Sequence, residues 1–181
     1  MKYYIKLCGV LFLIAFVSTV VLAFTYTITS PIVAENQKQQ EQNARASVLA
    51  GADMFEKRVV EDFTFFVGKE KEQIVGYAFT AQGSGYSGKI KTMVGVDKDF
   101  VVKAIEVVSQ AETPGLGANS TKPEFQNQFQ NKTEQQAKLV RDGGTVQSLT
   151  GATITSRAIC SSVSTGVAKL KEVYYKQGET E

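Results

Sequence analysis

A long apolar segment without a charged residue lies close to the N-terminus of this 181-residue chain. Residues 7–34 contain no Asp, Glu, Lys or Arg, and residues 7–26 are densely apolar. A helix rises 1.5 Å per residue, so this apolar run would span roughly 30 Å, the thickness of the hydrocarbon core of a bilayer. The segment therefore predicts a transmembrane helix at residues 7–27, followed by one domain of ordinary size.

The charges near this segment predict its orientation. Lys2 and Lys6 are the only charged side chains before Glu35, and together they equal the net charge of +2. By the positive-inside rule, the N-terminus stays in the cytoplasm and the rest of the chain lies across the membrane. A cleaved signal peptide is the alternative, with Val21-Leu22-Ala23 as its cleavage site, but the apolar run exceeds the roughly 7–15 residues usual for such a signal.

The segment that follows the predicted helix is polar. Pro31 is expected to end the anchor, and Glu35–Arg45, which is rich in Gln and Lys, predicts a solvated helical stalk. The charges beyond Lys6 balance, so the composition gives no sign of a nucleic-acid surface. The predicted division is a cytoplasmic N-terminus 1–6, a transmembrane helix 7–27, a stalk or linker 28–52, an extracytoplasmic domain 53–176 and a tail 177–181.

The pattern of the predicted domain favours an α+β fold, an antiparallel sheet with packed helices. Short runs rich in β-branched and aromatic residues, separated by tight turns, predict a meander. The glycines of Gly83–Gly88 match the letters of G-x-G-x-x-G, but a strand follows them where a dinucleotide site needs a helix, so we interpret them as a hairpin loop. The predicted strands are Phe63–Val67, Ile74–Ala81, Lys89–Val96 and Val101–Val108, with a further short strand at Leu139-Val140.

Two helices are predicted after the sheet. Thr121–Glu124 has the letters of a capping box with Pro in the first turn, which predicts a helix through Phe125 and Phe129. From Ile154 to about Tyr175, apolar residues recur at helical spacing, which predicts a long final helix that packs on the sheet.

The chain has no histidine, which excludes imidazole bases, His-containing triads and the commonest zinc sites. Its two cysteines, Cys8 and Cys160, are not expected to form a disulfide because Cys8 falls in the apolar segment. We therefore predict no catalytic residue and no metal ligand in the chain itself, and expect its chemistry to come from a bound group.

The stretch Glu112–Gly117 predicts a sharp turn. Pro114 and Gly115 occupy the second and third positions of a type II turn, which would push Leu116 outward at the tip. Gly117 would then allow another group to approach closely. A common surface turn in which Leu116 covers the core is the alternative interpretation.

A second stretch, Ser148–Ser156, lies where a polar loop enters the final helix. Hydroxyl side chains surround Gly151 and Ala152, two residues with almost no side chain, so an anion could reach the backbone and the first free N–H groups of the helix. An ordinary N-cap cluster is the alternative, because Ser and Thr are common at helix starts.

Together, the anchor, the Glu-Thr-Pro-Gly-Leu-Gly motif at Glu112–Gly117 and the Ser/Thr-Gly-Ala-Thr motif at Thr150–Thr153 carry a family resemblance. The chain resembles the covalent-flavin subunits of membrane redox pumps, namely the G subunit of the Rnf electron transport complex and the C subunit of the sodium-pumping NADH:quinone reductase. The resemblance covers nearly the whole chain, and the compact length is more similar to the Rnf subunit.

The resemblance implies an electron-relay subunit of an ion-translocating oxidoreductase, single-pass in the cytoplasmic membrane, with other complex subunits and the lipid bilayer as partners. It implies FMN joined to Thr153 by a phosphoester, attached by a separate flavin transferase. The implied flavin contacts are Glu112, Thr113, Leu116 and Gly117 near the ring, and Thr150, Gly151 and Ala152 near the phosphate.

One position departs from the family pattern. Gln147 stands where the family usually has Asp, six residues before the acceptor, so flavin attachment is expected to be slower if the transferase needs that carboxylate. Two alternative functions stay open at this stage: an anchored extracytoplasmic binding module without a redox role, and a flavin carrier of a different extracytoplasmic reductase.

Overall fold

The computed structural model describes residues 2–178, with the side chains of residues 3–176. The predicted tail 177–181 therefore lies outside the described side chains. The chain divides into two units, Met1–Gln40 and Glu41–Glu181. The first unit is part of one helix, and the second contains the whole sheet.

Helix α1 extends over Lys2–Val48. It is long and apolar enough to cross a membrane, with a mean hydropathy of 2.7 in its most apolar window, and within the described residues none of that window is buried. The expectation that Pro31 ends the anchor's helix is wrong, because Pro31 lies inside α1. Proline removes a single backbone N–H, and the Ala-, Gln- and Glu-rich sequence beyond it has high helix propensity, so the helix continues.

The second unit contains a five-stranded antiparallel sheet. The strands lie side by side in chain order, as a meander. The predicted α+β fold with an antiparallel sheet is confirmed, as are the hairpin after Ser84, where Gly85 N–H donates to the carbonyl of Gly88 at 2.8 Å, and the four predicted strands of the meander. The strands are β1 Met54–Val60, β2 Phe63–Glu70, β3 Gln73–Ser84, β4 Lys89–Asp97 and β5 Val102–Ser109.

Strand β1 was not expected from the sequence. It forms one edge of the sheet, pairs with β2 from Met54↔Lys69 to Val60↔Phe63, and is exposed over most of its length. Charged side chains such as Lys57 and Arg58 are typical of edge strands, where they discourage pairing with other chains. They also remove the alternation of apolar and polar residues that identifies a strand in a sequence.

Helix α3, Thr153–Gly178, packs on one face of the sheet over β3 and β4. It runs close to β3, since a Cβ at Gly83 would lie 2.5 Å from the carbonyl oxygen of Ala158. The predicted long final helix is confirmed, and its apolar positions form the core with the sheet. The buried apolar side chains of α3 are Ile159, Cys160, Val163, Val167, Leu170 and Val173.

The opposite face of the sheet is covered by the end of α1 and the residue that follows it. Ala44, Val48 and Leu49 form a smaller buried cluster with Ala78 and Met93. Both faces of the central strands are thereby protected from solvent.

The segment between the sheet and α3 differs from its prediction. Helix α2 is short, Pro123–Gln126, and a 3₁₀ turn at Asn127–Phe129 follows it. The predicted capping box does not form, because Lys122 precedes the first helical residue and the Thr121 hydroxyl donates to the carbonyl of Ala118 at 2.9 Å. Phe125 and Phe129 are nevertheless buried. The apolar pattern thus predicted the core positions correctly, although the helix between them is not continuous.

The short strand expected at Leu139-Val140 is reduced to a single bridge. Leu139 pairs with Val146 in parallel, while Val140–Asp142 forms a 3₁₀ turn. This bridge ties together the two ends of the loop that leads toward α3.

Candidate functional site

Helix α3 begins at Thr153 with an unfavourable capping residue. The first i→i−4 bond runs from the N–H of Ser156 to the carbonyl of Ala152 at 3.0 Å, which makes Ala152 the N-cap. Alanine has no side-chain oxygen to accept from the N–H groups of the first turn. The positive end of the helix dipole and those N–H groups are therefore directed at whatever occupies the space ahead of the helix.

The hydroxyls around the helix start have different roles. Ser156 Oγ accepts from the N–H of Leu149 at 3.0 Å and donates to the carbonyl of Ala152 at 2.9 Å, so it fixes the loop to the helix. In the part of the chain that the structure describes, no side-chain hydrogen bond involves the hydroxyl of Thr153, which is half-buried. Thr153 thus presents, at the first position of the helix, a hydroxyl that has no partner among the described residues.

The turn at Glu112–Gly117 has the predicted shape. Leu116 N–H donates to the carbonyl of Thr113 at 3.1 Å, and Gly115 has φ +79°, a left-handed conformation that favours glycine. Leu116 lies at the tip and is 45% exposed. Its Cδ2 would be 3.1 Å from a Cβ at Gly151, so the two motif segments touch each other.

Glu112 is buried at the centre of this region. Its Oε2 accepts from the hydroxyl of Thr155 at 2.5 Å, and its Oε1 accepts from the N–H of Ser87 at 2.9 Å. Burial by itself raises the pKa of the Glu112 carboxyl, but hydrogen bonds from Thr155 and from the backbone of residues 86–88 outweigh it and hold the pKa below its ordinary value. Glu112 is therefore an ionised carboxylate inside the protein.

Two glycines make room for this carboxylate. A Cβ at Gly85 would lie 2.5 Å from Glu112 Oε1, and a Cβ at Gly117 would lie 2.7 Å from both Glu112 Oε2 and Thr155 Oγ1. Neither glycine has a positive φ. They are needed here for space rather than for backbone conformation, and the close approach expected at Gly117 is confirmed.

These segments enclose a cleft of about 640 Å³ at the start of α3. The structure brings together all but one of the residues singled out from the sequence; Thr150 lies on the preceding turn, exposed and outside the lining. Tyr86, Ile154 and Thr155 also line the cleft. Ile154 and Thr155 lie in the Ser148–Ser156 stretch but were not named as contacts, and Tyr86 was missed because the contact of its hairpin with the later segments depends on the fold. The lining comprises Tyr86, Glu112, Thr113, Leu116, Gly117, Gly151, Ala152, Thr153, Ile154 and Thr155.

The cleft suits a planar ligand that ends in an anion. Its volume falls within the roughly 300–1,000 Å³ typical of cofactor sites. Tyr86, Leu116 and Ile154 contribute exposed apolar surface to its walls, while the start of α3 supplies N–H groups and the Thr153 hydroxyl. An aromatic ring system against the apolar walls, with its phosphate at the helix start, fits these residues.

Gln147 lies outside this cleft. Its side chain is exposed, and its backbone N–H donates to Oε1 of Gln128 at 2.7 Å. Asp142 is the nearest acidic residue before Gln147 in the sequence. Its Oδ2 accepts at 2.9 Å from Nε of Arg157, a residue that lies one helical turn after Thr153. The position that departs from the family pattern is thus on the surface of the domain, outside the cleft.

Comparison with protein families yields two matches. Residues 85–168 match the FMN-binding domain, and residues 5–48 match the RnfG N-terminal region. The first match includes every cleft residue, and the second covers nearly all of α1.

Named relatives extend over most of the chain. The G subunit of the proton-translocating ferredoxin:NAD(+) oxidoreductase complex of Clostridium ljungdahlii is 34% identical, over 86% of this chain and 85% of the relative. The G subunit of the Na(+)-translocating ferredoxin:NAD(+) oxidoreductase complex of Acetobacterium woodii is 31% identical, over 92% and 91%. The G subunit of the ion-translocating oxidoreductase complex of Methanosarcina acetivorans is 31% identical, over 90% and 92%.

Solved structures share the fold. The C subunit of the Na(+)-translocating NADH-quinone reductase from Parabacteroides distasonis superimposes with a TM-score of 0.54 at 21% identity, over 75% of this chain and 94% of that one. NqrC of Shewanella oneidensis gives a TM-score of 0.50 at 19% identity, over 71% and 74%.

Proposed function

We infer that this chain, which belongs to the family of G subunits of ion-translocating oxidoreductase complexes, binds FMN and serves as an electron-transport subunit of a ferredoxin:NAD⁺ oxidoreductase complex. Its partners are the other subunits of that complex. The chain contributes to a translocase without independent catalysis, because FMN accepts and donates the electrons while the protein positions it.

We further propose that the flavin is attached covalently to Thr153. The observation that carries this assignment is the placement, at the first residue of α3, of a hydroxyl with no hydrogen-bond partner in the described part of the chain; it follows an alanine N-cap and lies inside the cleft. A phosphodiester at this oxygen would carry one negative charge, which the N–H groups and the dipole of the helix stabilise. Gly151 and Ala152 leave the phosphate space to approach the backbone.

The attachment requires an activated flavin donor. The Thr153 Oγ–P bond forms as a P–O bond of a phosphoanhydride donor, such as a flavin dinucleotide, breaks, and the nucleoside monophosphate leaves. The hydroxyl proton passes to a base of the attaching enzyme, since the described residues of the cleft include no histidine and the Glu112 carboxylate is already hydrogen-bonded to Thr155 and Ser87. This accounts for a separate flavin transferase as a partner.

The remaining residues of the site hold the ring. Leu116 lies beside Gly151, so an isoalloxazine ring against Leu116 and Thr113 would be close to a phosphate at Thr153. Tyr86 and Ile154 add apolar surface on the other sides of the cleft. Thr150, exposed on the preceding turn, is close enough along the chain to contact the phosphate.

The apolar half of α1 serves as a single-pass membrane anchor in this proposal. Lys2 and Lys6 place the N-terminus in the cytoplasm, and the flavin domain then lies on the extracytoplasmic side. A covalent bond there prevents loss of the cofactor to a compartment where free FMN is scarce.

Attachment is tested on the full chain, produced with a flavin transferase and purified in detergent. The wild-type chain should fluoresce under ultraviolet light after denaturing electrophoresis, and its intact mass should include one FMN phosphoester. Thr153→Ala should remove both signals while the circular dichroism spectrum stays native, because the loss is chemical and not structural.

Two variants provide controls. Thr153→Ser keeps a hydroxyl and should retain some flavin, and Thr165→Ala makes the same substitution at an exposed threonine of α3 and should retain all of it. Fluorescence that persists in Thr153→Ala, or an intact mass without flavin in the wild-type chain, would refute the covalent assignment.

A further inference from the structure

We propose that Glu112 is a positioning residue that joins the three walls of the flavin cleft, and that its fixed negative charge lowers the midpoint potential of the flavin. The proposal rests on the flavin function inferred above, and goes beyond a place near the ring. It assigns Glu112 a bonding role within the protein and an electrostatic role toward the cofactor.

The three walls come from distant parts of the sequence. The first is the β3–β4 hairpin at Gly85–Gly88, the second is the turn that begins with Glu112 itself, and the third is the first turn of α3 with Thr155. Glu112 Oε1 accepts from the N–H of Ser87 at 2.9 Å, and Oε2 accepts from Thr155 Oγ1 at 2.5 Å. One side chain therefore connects all three.

The space around the carboxylate is fitted to this arrangement. Gly85 lies against Oε1 and Gly117 against Oε2, and a methyl group at either glycine would overlap the carboxylate. Glu112 is only 6% exposed. The side chain thus has one available position, and its removal would leave the N–H of Ser87 and the hydroxyl of Thr155 without their acceptor.

Both oxygens of the carboxylate are bonded to the protein, which fixes the charge in place; in this proposal Glu112 acts on the ligand through that charge and through the residues that it holds. Among the residues that line the cleft, none is a Lys or Arg that would neutralise this charge. A buried charge acts over several ångströms because little solvent screens it. Reduction adds negative charge to a flavin, so an ionised carboxylate in the wall makes reduction less favourable.

The electrostatic role is tested with a matched pair of variants in the flavin-loaded full chain. Glu112→Gln has the same shape without the charge, and the rotatable hydroxyl of Thr155 can accept from the new amide, so the walls stay joined. The midpoint potential, measured by spectroelectrochemical titration, should shift upward. Thr155→Val removes one hydrogen bond but leaves the charge and should shift the potential less.

Glu124→Gln is the control for net charge. It removes one carboxylate from an exposed position of α2, outside the cleft, and should leave the potential unchanged. An unchanged potential in Glu112→Gln, or an equal shift in Glu124→Gln, overturns the electrostatic role.

The bonding role is measured on the chain before flavin attachment. Glu112→Ala should accelerate hydrogen exchange of the Ser87 amide by about tenfold or more, because a hydrogen bond to a charged acceptor is lost. Exchange as slow as in the wild-type chain overturns that role. This measurement needs no flavin. If the wild-type chain is found to carry no flavin, the proposed function is refuted, but the exchange rate of the Ser87 amide still decides whether Glu112 has the bonding role.

Discussion

Gly117 provides a quantitative test of the geometry around Glu112. In Gly117→Ala the new Cβ would lie 2.7 Å from Glu112 Oε2, 2.7 Å from Thr155 Oγ1 and 2.8 Å from Glu112 Cβ. Glu112 and Thr155 are both buried, so the overlap is relieved only if one or both of these side chains move. Overpacking of this kind costs about 1–3 kcal/mol. Complete loss of a hydrogen bond to a charged group costs about 1.5–3 kcal/mol more, and a weakened bond costs part of this.

We therefore expect Gly117→Ala to lower the free energy of unfolding by about 2–4 kcal/mol, which corresponds to a fall of about 5–15 °C in melting temperature for a chain of this size. Thermal unfolding of the unloaded chain in detergent, followed by circular dichroism, measures the change. Gly88→Ala is the matched control, because the nearest atom to its Cβ would be Ala111 Cβ at 3.9 Å and its φ is not positive. Equal melting temperatures for the two variants would show that Gly117 does not contact the carboxylate as described.

Three further outcomes follow from the site. Leu116→Asp, which introduces a negative charge beside the proposed ring position, should lower the flavin potential in a spectroelectrochemical titration; no shift would mean that Leu116 faces away from the flavin. Gln147→Asp should raise the fraction of chains that carry flavin after limited exposure to the transferase, as read from intact mass; an equal fraction would remove any role for a carboxylate at that position. Because the folded pKa of Glu112 is depressed, its charge contributes stability above its unfolded pKa of about 4.5 that is lost as pH falls through the folded value. The difference in unfolding free energy between wild type and Glu112→Gln should therefore shrink from about pH 7 to about pH 3 in denaturant titrations, and a constant difference would contradict an ionised Glu112.

Local patterns were sufficient to predict the elements that have a strong local signal. Strands β2 to β5 alternate or run apolar between turn residues, and α3 keeps helical spacing along its whole buried face. The turn at Pro114-Gly115 is specified by two residues whose backbone preferences admit few conformations. In each case the residues that define the element also make its principal contacts.

The elements that were missed or misassigned depend on neighbours. β1 is a strand because β2 offers it a partner, although its own residues are largely exposed and charged. The helix expected from Thr121 is confined to Pro123–Gln126, and a 3₁₀ turn carries the chain on to Phe129, whose ring packs against that of Phe125 in the core. Propensity is a weak guide in such places, since tertiary contacts decide the outcome.

In the candidate site too, some features could be predicted from the local sequence and others depend on tertiary contacts. The residues within the two motif segments could be singled out from the sequence, while the part that Tyr86 plays in the site and the bond of Thr155 to Glu112 could not. Tyr86 reaches the cleft because its hairpin is fastened to Glu112, and Thr155 matters because its hydroxyl meets the same carboxylate. The sequence feature that could have indicated the hairpin's place in the site is its high glycine content. These glycines are explained by close packing at Gly83 and Gly85 and not by a nucleotide-binding loop.

The start of α3 gives a physical reason for the small residues ahead of Thr153. A Ser, Thr, Asp or Asn at the N-cap would stabilise the helix by about 1 kcal/mol relative to alanine, so Ala152 is a poor choice for stability alone. The polar side chains nearby are not recruited as caps either, since Ser156 bonds the loop and Thr155 bonds Glu112. An anion bound ahead of the helix would satisfy the same N–H groups that a capping side chain would otherwise occupy. The weak cap therefore leaves the N–H groups at the start of α3 available to a phosphate. This favours a bound ligand at this position over the ordinary N-cap cluster that was the alternative interpretation of the hydroxyl-rich sequence.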